Sequence, residues 1–191
     1  TKRAAMSILA FGINHTTASV DLRGRVAFAP EIVIESLQQA LTHLDGDEIA
    51  LLSTCNRTEI YLSGEVSDDQ LLAWLAEHKN IDIEQLQTCY YCHRDQQAVR
   101  HIMRVASGLD SLVLGEPQIF GQIKSAYAVG REAGTVSTYL NQIFQYAFAA
   151  AKRVRSQTAI GQNPVSVAYA SVSLAEQIFA DLKDAHALLI G

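Results

Sequence analysis

The sequence predicts an α+β protein in which a ferredoxin-like βαββαβ antiparallel sheet is followed by an all-helical bundle. Three observations predict it. Short strand-like runs alternate with amphipathic helical stripes as far as residue 93. Strand signals stop after Arg94. From there the chain is a series of helical stretches punctuated by proline and glycine.

Each element follows from local pattern. Ser7 to Ile13 reads as a strand, and Pro30 to Leu44 as a helix whose stripe is Val33, Leu37, Ala40, Leu41 and Leu44. Ile49-Ala50-Leu51-Leu52 and Ile60-Tyr61-Leu62 have the length and composition of paired strands. A helix runs from about Ser67 to His78 with Leu71, Leu72 and Leu75 on one face. Asp82 caps a short turn, and Thr88 to His93 reads as the last strand. In the second half, Asp95 begins a helix that runs to about Ser107, and Pro117 opens another that Gly134 closes. Ser137 caps a third, which Gly161 ends, with Leu140, Ile143, Phe144, Ala147, Phe148, Ala151 and Val154 as its buried stripe. Asn163-Pro164 starts a fourth, and such helices pack as a bundle. The expected division is an α/β subdomain over 1–94 and a helical subdomain over 95–184. His186-Ala187-Leu188-Leu189-Ile190-Gly191 is an apolar strand ending in glycine. It reads either as the first strand of a dinucleotide-binding fold cut from a longer protein, with Gly191 opening its turn, or as a C-terminal strand added to the sheet.

Composition narrows the class. A chain of 191 residues that is 49% hydrophobic and 18% charged has the balance of a soluble globular protein able to bury a core. No apolar run approaches the roughly 18 residues of a membrane span. The first residues lead straight into a strand and leave no room for a signal peptide, so a cytoplasmic protein with reduced cysteines is expected. A net charge of -5 argues against a general basic coat for nucleic acid, while leaving room for a local basic patch.

The most informative stretch is Ser53-Thr54-Cys55-Asn56-Arg57-Thr58-Glu59, a polar loop between the two apolar runs of the hairpin. A cysteine at such a tip is held by rigid elements yet free to meet a substrate. Arg57 can favour a thiolate and could grip a carboxylate in two-pronged fashion. The residues alone also allow a polar turn with an incidental small cysteine. A second polar stretch runs from Ser107 to Gln118 and ends at a helix N-terminus, where backbone donors favour negative or polar groups. Gln118 and Gln122 lie one turn apart on one face. His101, at the edge of its helix stripe, could serve as general acid or base, or could be a solvent-facing or structurally bonded side chain.

Cys89-Tyr90-Tyr91-Cys92-His93 fits the redox and haem-attachment spacings. Its place in an expected strand puts the two cysteines on opposite faces, no export signal accompanies it, and no second ligand pair supports zinc. No metal site is expected.

Ser-Thr-Cys-Asn-Arg-Thr-Glu at 53–59, the opening Gly12-Ile13-Asn14-His15-Thr16-Thr17-Ala18, and the long block from His101 to Gln122 closely resemble glutamyl-tRNA reductase. That family joins an N-terminal catalytic domain to an NADPH-binding domain and a C-terminal dimerisation domain, so residues 185–191 would be the first strand of the second. The resemblance implies reduction of glutamyl-tRNA to glutamate-1-semialdehyde, the opening step of five-carbon tetrapyrrole synthesis. Cys55 would attack the aminoacyl ester to give a thioester and release tRNA, and hydride from NADPH would reduce that thioester. His101 matches a histidine important for activity. Thr54, Asn56, Arg57, Ser111, Glu116, Pro117, Gln118 and Gln122 match positions that hold the glutamyl group. Gly191 falls at the cofactor-binding turn. The implied partners are glutamyl-tRNA, a second copy in a full-length homodimer, and the next enzyme of the pathway. Lys152, Arg153 and Arg155 could meet tRNA phosphates or merely suit the end of their helix. Two other function classes fit the residues: a cysteine acyl hydrolase or transferase, and a non-catalytic tRNA-binding module.

Overall fold

A computed structural model describes residues 7–161 and 167–179, together with 186 and 188. In chain order the elements are β1 Ile8–Asn14, α1 Val20–Val26, a 3-10 turn Pro30–Ile32, α2 Val33–His43, β2 Glu48–Ser53, β3 Arg57–Ser63, α3 Asp68–Lys79, α4 Ile83–Gln87 and β4 Tyr91–Arg94. Then follow α5 Asp95–Ala106, α6 Gln118–Glu132, α7 Tyr139–Gln157, a 3-10 turn Ala159–Gly161 and α8 Val167–Ile178. The four strands form one sheet in the order β2-β3-β1-β4 with every described pairing antiparallel. This is the split βαββαβ plan that the alternation of strand and helix patterns predicts.

Side chains alternate across the strands, and both faces of the sheet are used. Leu9, Phe11, Ile13, Ile49, Leu51, Ile60 and Leu62 pack with Leu37 and Ala40 of α2 and Leu71, Leu72 and Leu75 of α3. On the other face, Ile8, Ala10, Ala50, Leu52 and Tyr61 pack with Ala98, Ile102 and Val105 of α5, Ile119 and Ile123 of α6, and the stripe of α7. The helical half is therefore laid directly on the sheet. β1, at the centre, is buried at every position.

Several local expectations need correction. The strand placed at 88–93 begins only at Tyr91, because Thr88 caps α4 and the Cys89 amide turns back onto the Leu86 carbonyl at 3.1 Å. α1 carries a glycine and three charges in seven residues, so no apolar stripe announces it. Its Ser19 N-cap accepts from the Leu22 amide at 3.3 Å. At the start of α7 the Ser137 hydroxyl accepts only from the Thr138 amide, at 2.6 Å, and most of the cap comes from elsewhere. The buried Glu48 carboxylate, from the start of β2, accepts from the amides of Ser137 at 2.9 Å, Tyr139 at 2.8 Å and Leu140 at 2.9 Å. A carboxylate at this end satisfies orphan helix donors and complements the positive pole. The expected helix start at Asn163-Pro164 and the final strand with Gly191 lie outside the described residues. Among the described residues no helix is long and apolar enough to cross a membrane.

Candidate active site

The β2–β3 hairpin closes over two residues, Cys55 and Asn56. The Thr54 amide bonds the Arg57 carbonyl at 2.8 Å. The Thr54 hydroxyl accepts from the amides of Asn56 and Arg57, both at 3.2 Å. This side-chain closure replaces the glycine that two-residue hairpins usually need. Cys55 is thereby held at the tip, exposed.

Facing it is the connection between α5 and α6. Gly108, with a φ of +77°, turns the chain out of α5, and its carbonyl accepts from the Gly115 amide at 2.8 Å. The loop thus returns to the start of α6. A small cavity of about 50 Å³ lies between hairpin and loop. Thr54, Cys55, Asn56 and Arg57 line it from one side. Ser111, Glu116, Gln118 and Gln122 line it from the other, with Leu112 and Ile119. The structure therefore brings together eight of the ten expected residues that it describes. Pro117 is outside the lining, at the N-cap position of α6. His101 is also outside it and opens instead onto a neighbouring cleft.

Behind the loop is a buried polar network that composition alone did not announce. Arg57 is 2% exposed, and its Nη1 donates to Glu59 at 2.5 Å. Its Nη2 bonds the carboxylate of Asp110 at 3.1 Å and also the Asp110 backbone carbonyl. The guanidinium expected to grip a substrate carboxylate thus lines the cavity while already paired twice within the protein. The fully buried Glu59 also accepts from Tyr61 at 2.5 Å and Tyr91 at 2.6 Å, and bonds His101 Nε2 at 3.1 Å. Burial alone would raise the Glu59 pKa. The bond and charge of His101, then Arg57 and Tyr61, outweigh it and hold the carboxyl far below the usual range. Burial and Glu59 push the phenols of Tyr61 and Tyr91 well up. Gly12 admits this network, since a Cβ there would meet Glu59 Cγ at 2.7 Å and Thr58 O at 2.9 Å. Arg57, Glu59 and Tyr61 recur with the period of a strand face, a signal available in the sequence. Asp110, 53 residues further on from Arg57, carried no such signal.

Two further groups sit beside the hairpin. Arg23 of α1 donates to the Ala18 carbonyl at 2.8 Å and to the Cys55 carbonyl at 3.4 Å. His15 has a buried Nδ1 with no hydrogen-bond partner, and its pKa is lowered by burial and then by Arg57. Of the three cations that could meet tRNA phosphates or merely suit their helix end, Arg155 donates to the Gly115 carbonyl at 3.2 Å and so steadies the loop, while Lys152 and Arg153 are exposed. Among the described residues no group of three or more His, Cys, Asp or Glu could hold a metal ion.

Fold and cavity together define an α+β scaffold that presents a thiol at a hairpin tip to a polar pocket. The family model for the N-terminal domain of glutamyl-tRNAGlu reductase matches residues 11–158. The chain belongs to that family. It is 61% identical over 187 residues to a glutamyl-tRNA reductase of Pseudomonas fluorescens and, at the same identity and length, to one of Pseudomonas savastanoi pv. phaseolicola. In both cases the alignment covers 97% of this chain and 44% of the relative. The solved glutamyl-tRNA reductase of Methanopyrus kandleri superposes with a TM-score of 0.69 at 32% identity, over 89% of this chain and 39% of that one. The chain thus spans under half the length of the relatives it matches.

Proposed function

We propose that this chain is the acyl-transfer part of an NADPH-dependent glutamyl-tRNA reductase, in which residues 1–94 and 95–184 work as one catalytic unit. The observation that supports this most is the convergence of Cys55 with polar side chains from a loop more than fifty residues away around one cavity.

The Cys55 sulfur, as thiolate, attacks the carbonyl carbon of the glutamyl ester. The C–O bond to the terminal ribose breaks, and the leaving 3′-terminal ribose oxygen of the tRNA takes a proton as the tRNA departs. A thioester on Cys55 remains. Ser111, Glu116, Gln118 and Gln122 orient the glutamyl group beside the sulfur. Glu116 and the glutamines offer a partner to its ammonium, and the amides at the start of α6 offer polar donors to its carboxylate. Arg57 acts by fixing the loop between Glu59 and Asp110. His101 reaches the same loop through Glu59, which makes it a positioning residue. Hydride for reducing the thioester to glutamate-1-semialdehyde is what NADPH supplies when bound. The described residues hold no glycine-rich strand–turn–helix to seat a dinucleotide, and Gly191, proposed to open that turn, lies beyond them.

Mass spectrometry after exposure to glutamyl-tRNA tests the reading. The expected result is one glutamyl adduct on Cys55, absent in Cys55→Ser. Binding of charged tRNA with no adduct would leave only a tRNA-binding module. Turnover of the adduct to free glutamate without NADPH would favour the hydrolase description.

A further inference from the structure

A second concave site lies next to the Cys55 cavity. His93, Gln97, Arg100, His101, Arg104 and Asp110 line a cleft of about 360 Å³. Arg100 and Arg104 stand one turn apart on the same face of α5, where side chains are near neighbours. Both are exposed, and neither guanidinium has a hydrogen-bond or ion-pair partner among the described residues. The acids near them are spoken for: Asp110 is paired with Arg57 and Glu59 with Arg57 and His101. The rings of His93 and His101 lie tilted against each other with centres 4.7 Å apart, and burial followed by His101 lowers the His93 pKa. In a chain of net charge -5, this cleft keeps two uncompensated guanidinium groups aimed at one hollow.

The partition between the two cavities is the Arg57–Asp110 pair, since Arg57 lines the thiol cavity and Asp110 the basic cleft. We infer that Arg100 and Arg104 grip backbone phosphates of the RNA adjacent to the acylated 3′-terminal nucleotide while its ester lies against Cys55. Chemistry requires such a neighbour. An aminoacyl ester sits on a ribose joined directly to a phosphodiester, so an ester at Cys55 brings phosphate charge within one nucleotide. Guanidinium forks suit phosphate oxygens in pairs. Arg104 also lies in the last turn of α5, where any cation is favourable, and the lysine control below preserves that contribution.

This inference rests on the proposed function, and its test separates the two. Fluorescently labelled, uncharged tRNAGlu is titrated against the full chain between 50 and 200 mM salt. Arg100→Gln/Arg104→Gln should weaken binding about tenfold at the lower salt. It should also reduce the slope of log affinity against log salt by roughly 1.4–1.8, the loss of about two phosphate contacts. Arg100→Lys/Arg104→Lys should restore most of the affinity. Parent-like affinity and slope in the double glutamine variant, with the Cys55 adduct still forming on the parent, would overturn this inference alone. Weaker NADPH binding with unchanged tRNA binding would also overturn it, by giving the cleft to a dinucleotide phosphate. Failure of the parent to bind tRNA would sink both readings.

Discussion

Cys55 and the Cys89–Cys92 pair carry the same atom in opposite settings. Cys55 stands alone at a hairpin tip, exposed, with polar side chains of another segment around it. Cys89 is buried against the end of α4, its thiol directed at the carbonyls of Gln85 at 3.2 Å and Leu86 at 3.5 Å. Burial raises its pKa. Cys92 lies in edge strand β4, and burial followed by Asp68 pushes its thiol up to about 12. The spacing that looks most like a motif holds two protonated thiols, and the solitary cysteine has the accessible position. Reactivity follows exposure and charge around the sulfur, and spacing reports neither.

The sharpest way to break that contrast is alkylation. With a pKa of about 12, about one Cys92 side chain in ten thousand is a thiolate at pH 8. Iodoacetamide followed by peptide mapping should modify Cys55 at least about a hundredfold faster than Cys92 or Cys89. Comparable rates would erase the distinction.

The next largest effect concerns what holds the hairpin. Glu59→Gln removes one charge from a buried pair and should cost about 3 kcal/mol of stability at pH 7, read by denaturant unfolding, because Arg57 remains buried. The pH dependence has a definite sign. The folded pKa of Glu59 is depressed, so its contribution is present above the ordinary carboxylate value and is lost as pH falls through and below about 4. The parent should therefore destabilise more steeply than Glu59→Gln in acid. Parallel curves would show that the carboxylate is not the hub of the network.

A smaller effect tests how remote the support can be. Glu48 begins the strand whose far end leads to Cys55, and it caps α7 across 89 residues of chain. Glu48→Ala should lower stability by about 2 kcal/mol, seen as a drop in Tm, while the Cys55 adduct still forms. Loss of the adduct in a folded variant would mean that the hairpin depends on the helical half for its chemistry as well as its stability.

Legibility in the sequence follows the range of the interaction. The βαββαβ plan was readable because the runs at 49–52 and 60–62 are joined by a short polar loop and flanked by helical stripes. Helix ends marked by Asp82, Pro117 and Gly134 were readable because they act within one turn. The α7 cap was not, since its carboxylate arrives from the sheet. The cavity residues were readable from two loop motifs and their resemblance to a family. The state of Arg57 was not, because Asp110 reaches it only through the packing of α5 on the sheet. Arg100 and Arg104 look like an ordinary solvated face until the fold sets His93 beside them.

A sheet covered on both sides leaves its strands little freedom to travel, and the sulfur is fastened two residues beyond one of them. In the proposed reaction the nucleophile is therefore the stationary partner. The bulky nucleic acid must do the moving, threading its charged tip down to a fixed point and withdrawing once the amino acid has been handed over.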